Sequence, residues 1–258
     1  MQKPLLILEK LKRRLSHAIK VKVMKHYLIP YSNTGLDPGI LNFLKPNEPI
    51  NFVDIGASSG EFAQSMIEYC GGVRNALLIE PQPALVAELS SRFSRDTVQI
   101  RQCAISDKEH RTEMDVFNWH YSSSLLPLKP DTAGLDRIVD LKARERISVE
   151  VQKLDNVMAS LRWYGEVIDF MKVDVQGSEL AVFRGAEDTL RRTRMIWTEV
   201  SFRPIYEGSA SFFDIHSYLS QRGFILLWIS QGTRGEGGEV LEGDALFARE
   251  PGMQERIA

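Results

Sequence analysis

Cysteine is scarce: Cys70 and Cys103 stand alone in 258 residues, with spacing for neither a disulfide framework nor a metal-binding knuckle. Both read as small buried thiols at the ends of elements. Long apolar runs are missing too. Residues 4–8 are apolar but too soon interrupted by charge for a signal peptide or a membrane span, so a reducing, cytoplasmic setting is expected. An overall basic excess is also lacking. Lys and Arg number 32 against 34 Asp and Glu, a formal charge of -2, which does not favour nucleic acid as a partner.

That balance hides an asymmetry. Residues 1–28 carry eight Lys or Arg against Glu9 alone, a surplus of seven that leaves a deficit of nine on the remainder. Leu8, Leu11, Leu15, Ala18 and Ile19 repeat at helical spacing, so residues 5–27 read as an amphipathic helix within a basic segment, residues 1–49. One reading is contact with an anionic membrane surface. The other, favoured because a solvated basic face is usual, is packing across the catalytic domain or against a second subunit of a homo-oligomer.

From residue 50 to 250 short apolar runs alternate with helical stretches. This is the α/β pattern of a mostly parallel sheet with helices on both faces, followed by a short tail, 251–258. Strands are expected over 51–55, 76–79, 98–103, 167–173, 195–200, 224–229 and 245–249. Helices are expected over 60–70, 83–93, 178–192 and 212–221, with Gly223 as the last one's C-cap. The Gly-rich stretch 232–238 reads as the turn of an antiparallel C-terminal hairpin. Residues 106–166 form an insertion with extra strands near 113–117 and 147–151, expected to act as an acceptor lid.

The decisive stretch is Val53-Asp54-Ile55-Gly56-Ala57-Ser58-Ser59-Gly60, a strand entering a glycine-containing turn and a helix. Gly56 permits the sharp turn and Gly60 lets the helix start close under a ligand. A dinucleotide site, as in a nicotinamide dehydrogenase, would want a glycine where Ala57 stands. Asp54 also places negative charge where pyrophosphate is unwelcome and where an ammonium and a sulfonium are favoured. Those are the charges of S-adenosylmethionine. Glu80 ends the second strand, 26 residues on, where an acidic side chain accepts both ribose hydroxyls of an adenosine; Pro81 follows it. Cys103 and Ala104, small residues ending the third strand, leave room for the adenine ring.

Methyl transfer needs an aligned acceptor and a route for its proton, expected at the carboxyl ends of the fourth and fifth strands. Asp174 and Glu199 end those strands and are the candidates for base or acceptor-orienting group. As neighbours they would raise one another's pKa. A carboxylate pair also suits a divalent cation, but no His/Asp cluster with ligand spacing supports one. Glu179 reads as a helix-start carboxylate. His120 and Ser122–Ser124 are placed to close over substrate, Arg203 and Tyr206 to line a sugar site, and His216 to pack.

With these positions set, the chain resembles the FkbM family of methyltransferases. The matching segments are residues 53–60, Ile79-Glu80-Pro81-Gln82-Pro83, Ala104-Ile105-Ser106-Asp107, Ser122-Ser123-Ser124-Leu125 and Lys153-Leu154-Asp155. Further on come residues 171–179 with Gly185-Ala186, Trp197-Thr198-Glu199, Gly223-Phe224 and Asp244-Ala245-Leu246-Phe247. The resemblance covers roughly residues 50–250. It implies the seven-stranded sheet of the Rossmann-like class I methyltransferases, S-adenosylmethionine as donor, and O-methylation of a hydroxyl on a sugar, glycolipid or natural product. Ser58-Ser59 replaces the usual Asn-Ile, and Gln176 stands where Glu is common. The alternatives are an N-methyltransferase and a non-catalytic adenosine-binding partner protein.

Overall fold

The structure, a computed structural model, describes residues 36–94, 96–117, 124–127, 129, 143–230, 232–235 and 237–249. The basic arm, His120, Ser122, Ser123, residues 118–123, 128 and 130–142 of the expected lid, and the tail lie outside them. Among the described residues no helix is long and apolar enough to cross a membrane.

A short helix, α1 (Pro38–Leu41), precedes the first strand, β1 (Ile50–Ile55). Every residue of β1 is buried, as befits a central strand covered on both faces. Then come α2 (Glu61–Tyr69), β2 (Val73–Ile79), α3 (Pro83–Arg92) and β3 (Val98–Arg101). The second half runs β7 (Ile168–Val173), α5 (Glu179–Arg184), α6 (Glu187–Arg191), β8 (Thr193–Ser201), α7 (Phe212–Ser220), β9 (Phe224–Ile229) and β10 (Glu242–Arg249). The strands form one seven-stranded sheet in the order β3-β2-β1-β7-β8-β10-β9. It is parallel through β8, with β10 antiparallel to both β8 and β9. The chain therefore starts at the sheet's centre, winds to one edge, and restarts beside β1. The switch point between β1 and β7 is where a crevice opens at the strands' carboxyl ends.

Period-two alternation sends the strand residues to two cores. Val53, Ile55, Met171, Val173 and Phe247 pack on one face with α5–α7. Phe52, Phe170, Trp197 and Leu246 pack on the other with α1–α3.

Three expectations need correction. The third strand ends at Arg101, not at residue 103. Ala104 instead begins β4 (Ala104–Ile105), which joins β5 (His110–Phe117) and β6 (Ala143–Gln152) in a separate sheet of order β4-β6-β5. The single helix expected over 178–192 is two, α5 and α6. It breaks at Gly185, where a side chain would meet the Ser106 carbonyl oxygen at 2.1 Å. The Asp155 carboxylate accepts from the Asp188 and Thr189 amides and the Thr189 hydroxyl at α6's start. Asp155 itself belongs to a helix missed in the sequence, α4 (Leu154–Ala159).

Candidate active site

A cleft enclosing about 630 Å³ of non-atom space, partly open to solvent, lies at the switch point. Its walls include Ile55 and Gly56 from β1 and its loop, Glu80 and Pro81 after β2, Cys103 just before the small sheet and Ala104 at its first strand, and Asp174 after β7. Six of the ten residues singled out in the sequence thus gather there. Ser58, Gln82, Met114, Leu125, Val175 and Gln176 complete it; their contribution depends on how the two sheets meet, which no local pattern displays.

Gly56 holds the loop. Its φ of +80° suits glycine, and a Cβ there would stand 1.8 Å from the Asp174 carbonyl oxygen. The Gly56 and Ala57 amides both donate to the Ile79 carbonyl, at 3.0 Å. The turn is thereby pinned between β2 and β7. Ala57 and Gly60 shape it without lining the cleft. Ala57 is buried among the α1–α3 core, and Gly60, at φ +83°, caps α2 beneath Phe93 and Leu89.

Glu80 is 3% exposed. Its two carboxylate oxygens each accept one backbone N–H, from Ser58 and Gln82, both at 3.0 Å. A carboxylate has about four acceptor sites, so half its capacity is left toward the cleft it lines. Burial pushes its pKa up, opposed by those two N–H bonds and by Lys172.

Asp54 sits elsewhere than its sequence position suggests. Ile55 faces the cleft, so the preceding residue faces the other side of the sheet. The Asp54 carboxylate is fully buried there, with Lys172 Nζ 3.4 Å from Oδ1. Burial raises its pKa to about 6, with Lys172 pulling the other way. Its charge is answered by a lysine, and direct contact with a ligand's ammonium is corrected to a role beneath the loop.

Asp174 and Glu199 do come together. Gln176 Nε2 donates to Asp174 Oδ1 at 2.9 Å and to Glu199 Oε2 at 3.1 Å, and the Tyr206 hydroxyl donates to Gln176 Oε1 at 3.3 Å. Gln176 has φ +56°, a conformation that costs a non-glycine residue energy and clusters at functional sites. The Ser124 hydroxyl donates to its carbonyl at 2.6 Å. Burial raises Glu199 well above the ordinary carboxylate range, and Asp174, Glu179, Glu242 and Asp244 push it the same way. Glu179 is buried and raised to about 7; it accepts from the Val175 and Gly177 amides, which makes it the loop-closing carboxylate expected at a helix start.

Among the described residues no three His, Cys, Asp or Glu side chains are grouped to hold a metal. Arg203 pairs with Glu239 at 3.5 Å, and His216 packs against Phe212 and Phe247.

The methyltransferase FkbM domain matches residues 54–226. The 2-O-methyltransferase NoeI of Sinorhizobium fredii (strain NBRC 101917 / NGR234) is 29% identical over 224 residues, covering 82% of this chain and 86% of that protein. The crystal structure of methyltransferase FkbM from Methylobacillus flagellatus KT shares the fold, with a TM-score of 0.53 at 16% identity over 80% of this chain. This chain spans only 45% of that one. The chain belongs to the FkbM methyltransferase family, and S-adenosylmethionine is its methyl donor.

Proposed function

We propose that the chain methylates a hydroxyl oxygen of an uncharged, polyhydroxylated acceptor such as a saccharide, with Asp174 and Glu199 receiving and steering the hydroxyl proton. One observation carries this: the single amide nitrogen of Gln176 lies within hydrogen-bond distance of both carboxylates. A group bearing O–H or N–H protons is satisfied there twice over. An acceptor hydroxyl entering the cleft beside Gln176 would present its proton to Asp174, which lines the cleft, with Glu199 behind the Gln176 amide. The donor supplies a carbon activated by its sulfonium. Glu80 would take the ribose hydroxyls, and Gly56 keeps the loop low enough for the donor to approach the backbone. Small Ala104, beside Ile105 and Met114, offers a flat ring an apolar slot.

Burial, with Asp174 and the other acidic neighbours, raises the pKa of Glu199 and with it its affinity for a proton. Its acidic neighbours make the same region hostile to phosphates and carboxylates. The Sinorhizobium relative is a 2-O-methyltransferase, which supports oxygen as the atom methylated.

The test measures S-adenosylhomocysteine formation with neutral methyl glycosides and the matching uronates. Neutral glycosides should be the better acceptors. Asp174→Asn and Glu199→Gln should each lower turnover by about 10²–10⁴-fold, the range of general-base contributions, and lower donor affinity at least tenfold less than that. Preference for the uronates, or full turnover in both variants, would sink the proposal.

A further inference from the structure

Asp54 and Lys172 are partners in register on the adjacent parallel strands β1 and β7. Both point away from the cleft, into the face packed by Phe52, Phe170 and Met66. Asp54 is 0% and Lys172 8% exposed. The ring of Phe62 lies 5.6 Å from the ammonium. Charges in such a place cost several kcal/mol each unless their partners are well arranged.

The partners reveal what the lysine is doing. An ammonium has three N–H donors, and three oxygens surround this one. The Gly56 carbonyl lies at 3.1 Å, Asp174 Oδ2 at 3.3 Å and Asp54 Oδ1 at 3.4 Å. Gly56 opens the donor loop. Asp174 begins the loop that carries Gln176, whose amide reaches Glu199. If neutralising Asp54 were its whole purpose, the side chain would not need to reach past it to two further oxygens on two different loops. Lys172 and Asp54 also stand outside the cleft, so neither acts by touching the donor.

We propose that Lys172 is a positioning residue. It anchors the donor loop, through the Gly56 carbonyl, to Asp174, so that the donor-binding and proton-accepting halves of the site are set by one buried ammonium. The inference rests on the assignment of the cleft and of Asp174 made above. Nothing is transferred to or from Lys172, whose two carboxylate partners keep it protonated. Asp54 is the counter-charge that makes a lysine tolerable under the loop.

A charge-neutral double variant separates positioning from neutralisation. Asp54→Asn with Lys172→Met removes both buried charges at nearly constant volume, a change that folds tolerate well. The full chain is titrated calorimetrically with S-adenosylhomocysteine, and its thermal midpoint is measured alongside. The double variant should melt within a few degrees of the parent and bind at least tenfold more weakly. Parental affinity in a folded double variant would overturn the proposal and leave Lys172 as a mere counter-ion. Should that variant fail to fold, Asp54→Leu with Lys172→Leu removes the same two charges with an apolar pair; the same two outcomes apply. The parent is the control. Failure of the parent to bind would count against the cleft itself, whereas parental binding with an unaffected variant counts against Lys172 alone.

Discussion

Gly56→Ala is the substitution for which the structure yields the most complete expectation. A Cβ at this position would lie 1.8 Å from the Asp174 carbonyl oxygen and 2.9 Å from its carbon. Backbone cannot swing aside as a side-chain tip does. The loop and the end of β7 must part by about 1.5–2 Å to reach ordinary contact distance. That separation breaks or stretches two hydrogen bonds, Asp174 N–H to the Ile55 carbonyl at 3.0 Å and Lys172 to the Gly56 carbonyl at 3.1 Å. Each is worth ~0.5–1.5 kcal/mol net. Holding alanine at a φ of +80° adds ~1–2 kcal/mol. The total is ~2–5 kcal/mol, and it falls on the loop that lines the cleft. Affinity for S-adenosylhomocysteine should drop by about 10²-fold, at ~1.4 kcal/mol per factor of ten. Gly60→Ala is the control. It has a similar φ, +83°, but its Cβ would meet the tips of Phe93 and Leu89, at 2.5 and 2.7 Å, and those can move. It should lose comparable stability in chemical denaturation while keeping donor affinity within about fivefold, since it perturbs a helix start outside the cleft. A folded Gly56→Ala protein that binds within threefold of the parent would refute the reasoning, as would a Gly60→Ala protein that loses more affinity than Gly56→Ala.

Two further expectations concern Glu80 and the buried carboxylates. Glu80→Ala strands the Ser58 and Gln82 amides as well as removing the acceptors offered to ribose, and should cost about 10–100-fold in donor affinity; Glu80→Gln, retaining one acceptor oxygen, should fall between, and parental binding by the alanine variant would remove Glu80 from the donor site. Asp54, Glu179 and Asp244 have folded-state pKa values raised to about 6, 7 and 7, burial being the first cause for each. Their contribution to stability is therefore fully present below the ordinary carboxylate pKa of about 4 and is lost as pH rises through 6–7. The thermal midpoint should rise as pH is lowered from 8 to 5.5, and Glu179→Gln should flatten that slope; a midpoint climbing steadily from pH 5.5 to 8 would contradict the assignment. Glu187 and Asp214, held below the ordinary range by Arg222 and Ser211 respectively, withdraw their own support only in stronger acid.

Much of this site was legible in one dimension because the fold displays its chemistry at strand ends. Where an apolar run stops, the chain is at the sheet's edge. Glu80, Asp174 and Glu199 were readable for that reason alone, and Gly56 because a sharp turn must follow β1. The mostly parallel polarity of the sheet and its antiparallel hairpin also followed from alternation and from the resemblance. Asp54 shows where such reading fails. In a strand buried on both faces, hydrophobicity no longer marks which side is which, and a one-residue difference sends Asp54 away from the ligand that Ile55 meets. Lys172 then looked like one polar residue in a motif, since two of its three oxygens, those of Asp54 and Gly56, come from a strand and loop more than a hundred residues earlier. Gln176 was noticed only as a departure from a usual Glu. That its amide joins two carboxylates is a fact of tertiary geometry. The break at Gly185 was hidden too, because the obstacle is a carbonyl of Ser106, 79 residues earlier.

The departure at Gln176 has a physical consequence for how the site holds its charges. Asp174, Glu179, Glu242 and Asp244 all act on Glu199, and Lys172 is already shared between Asp54 and Asp174. A glutamate at position 176 would add another acceptor-only group where two acceptors already face each other, and the cluster would have to bind a proton to stay closed. The amide instead brings two N–H donors, one for each carboxylate, and adds no charge. The carboxylates are thereby held at hydrogen-bonding distance from a common point, the Gln176 amide nitrogen. A site arranged this way remains net negative while ordered, which favours a cationic donor over its neutral product. The same arrangement rewards an acceptor that arrives with protons to give and no negative charge of its own.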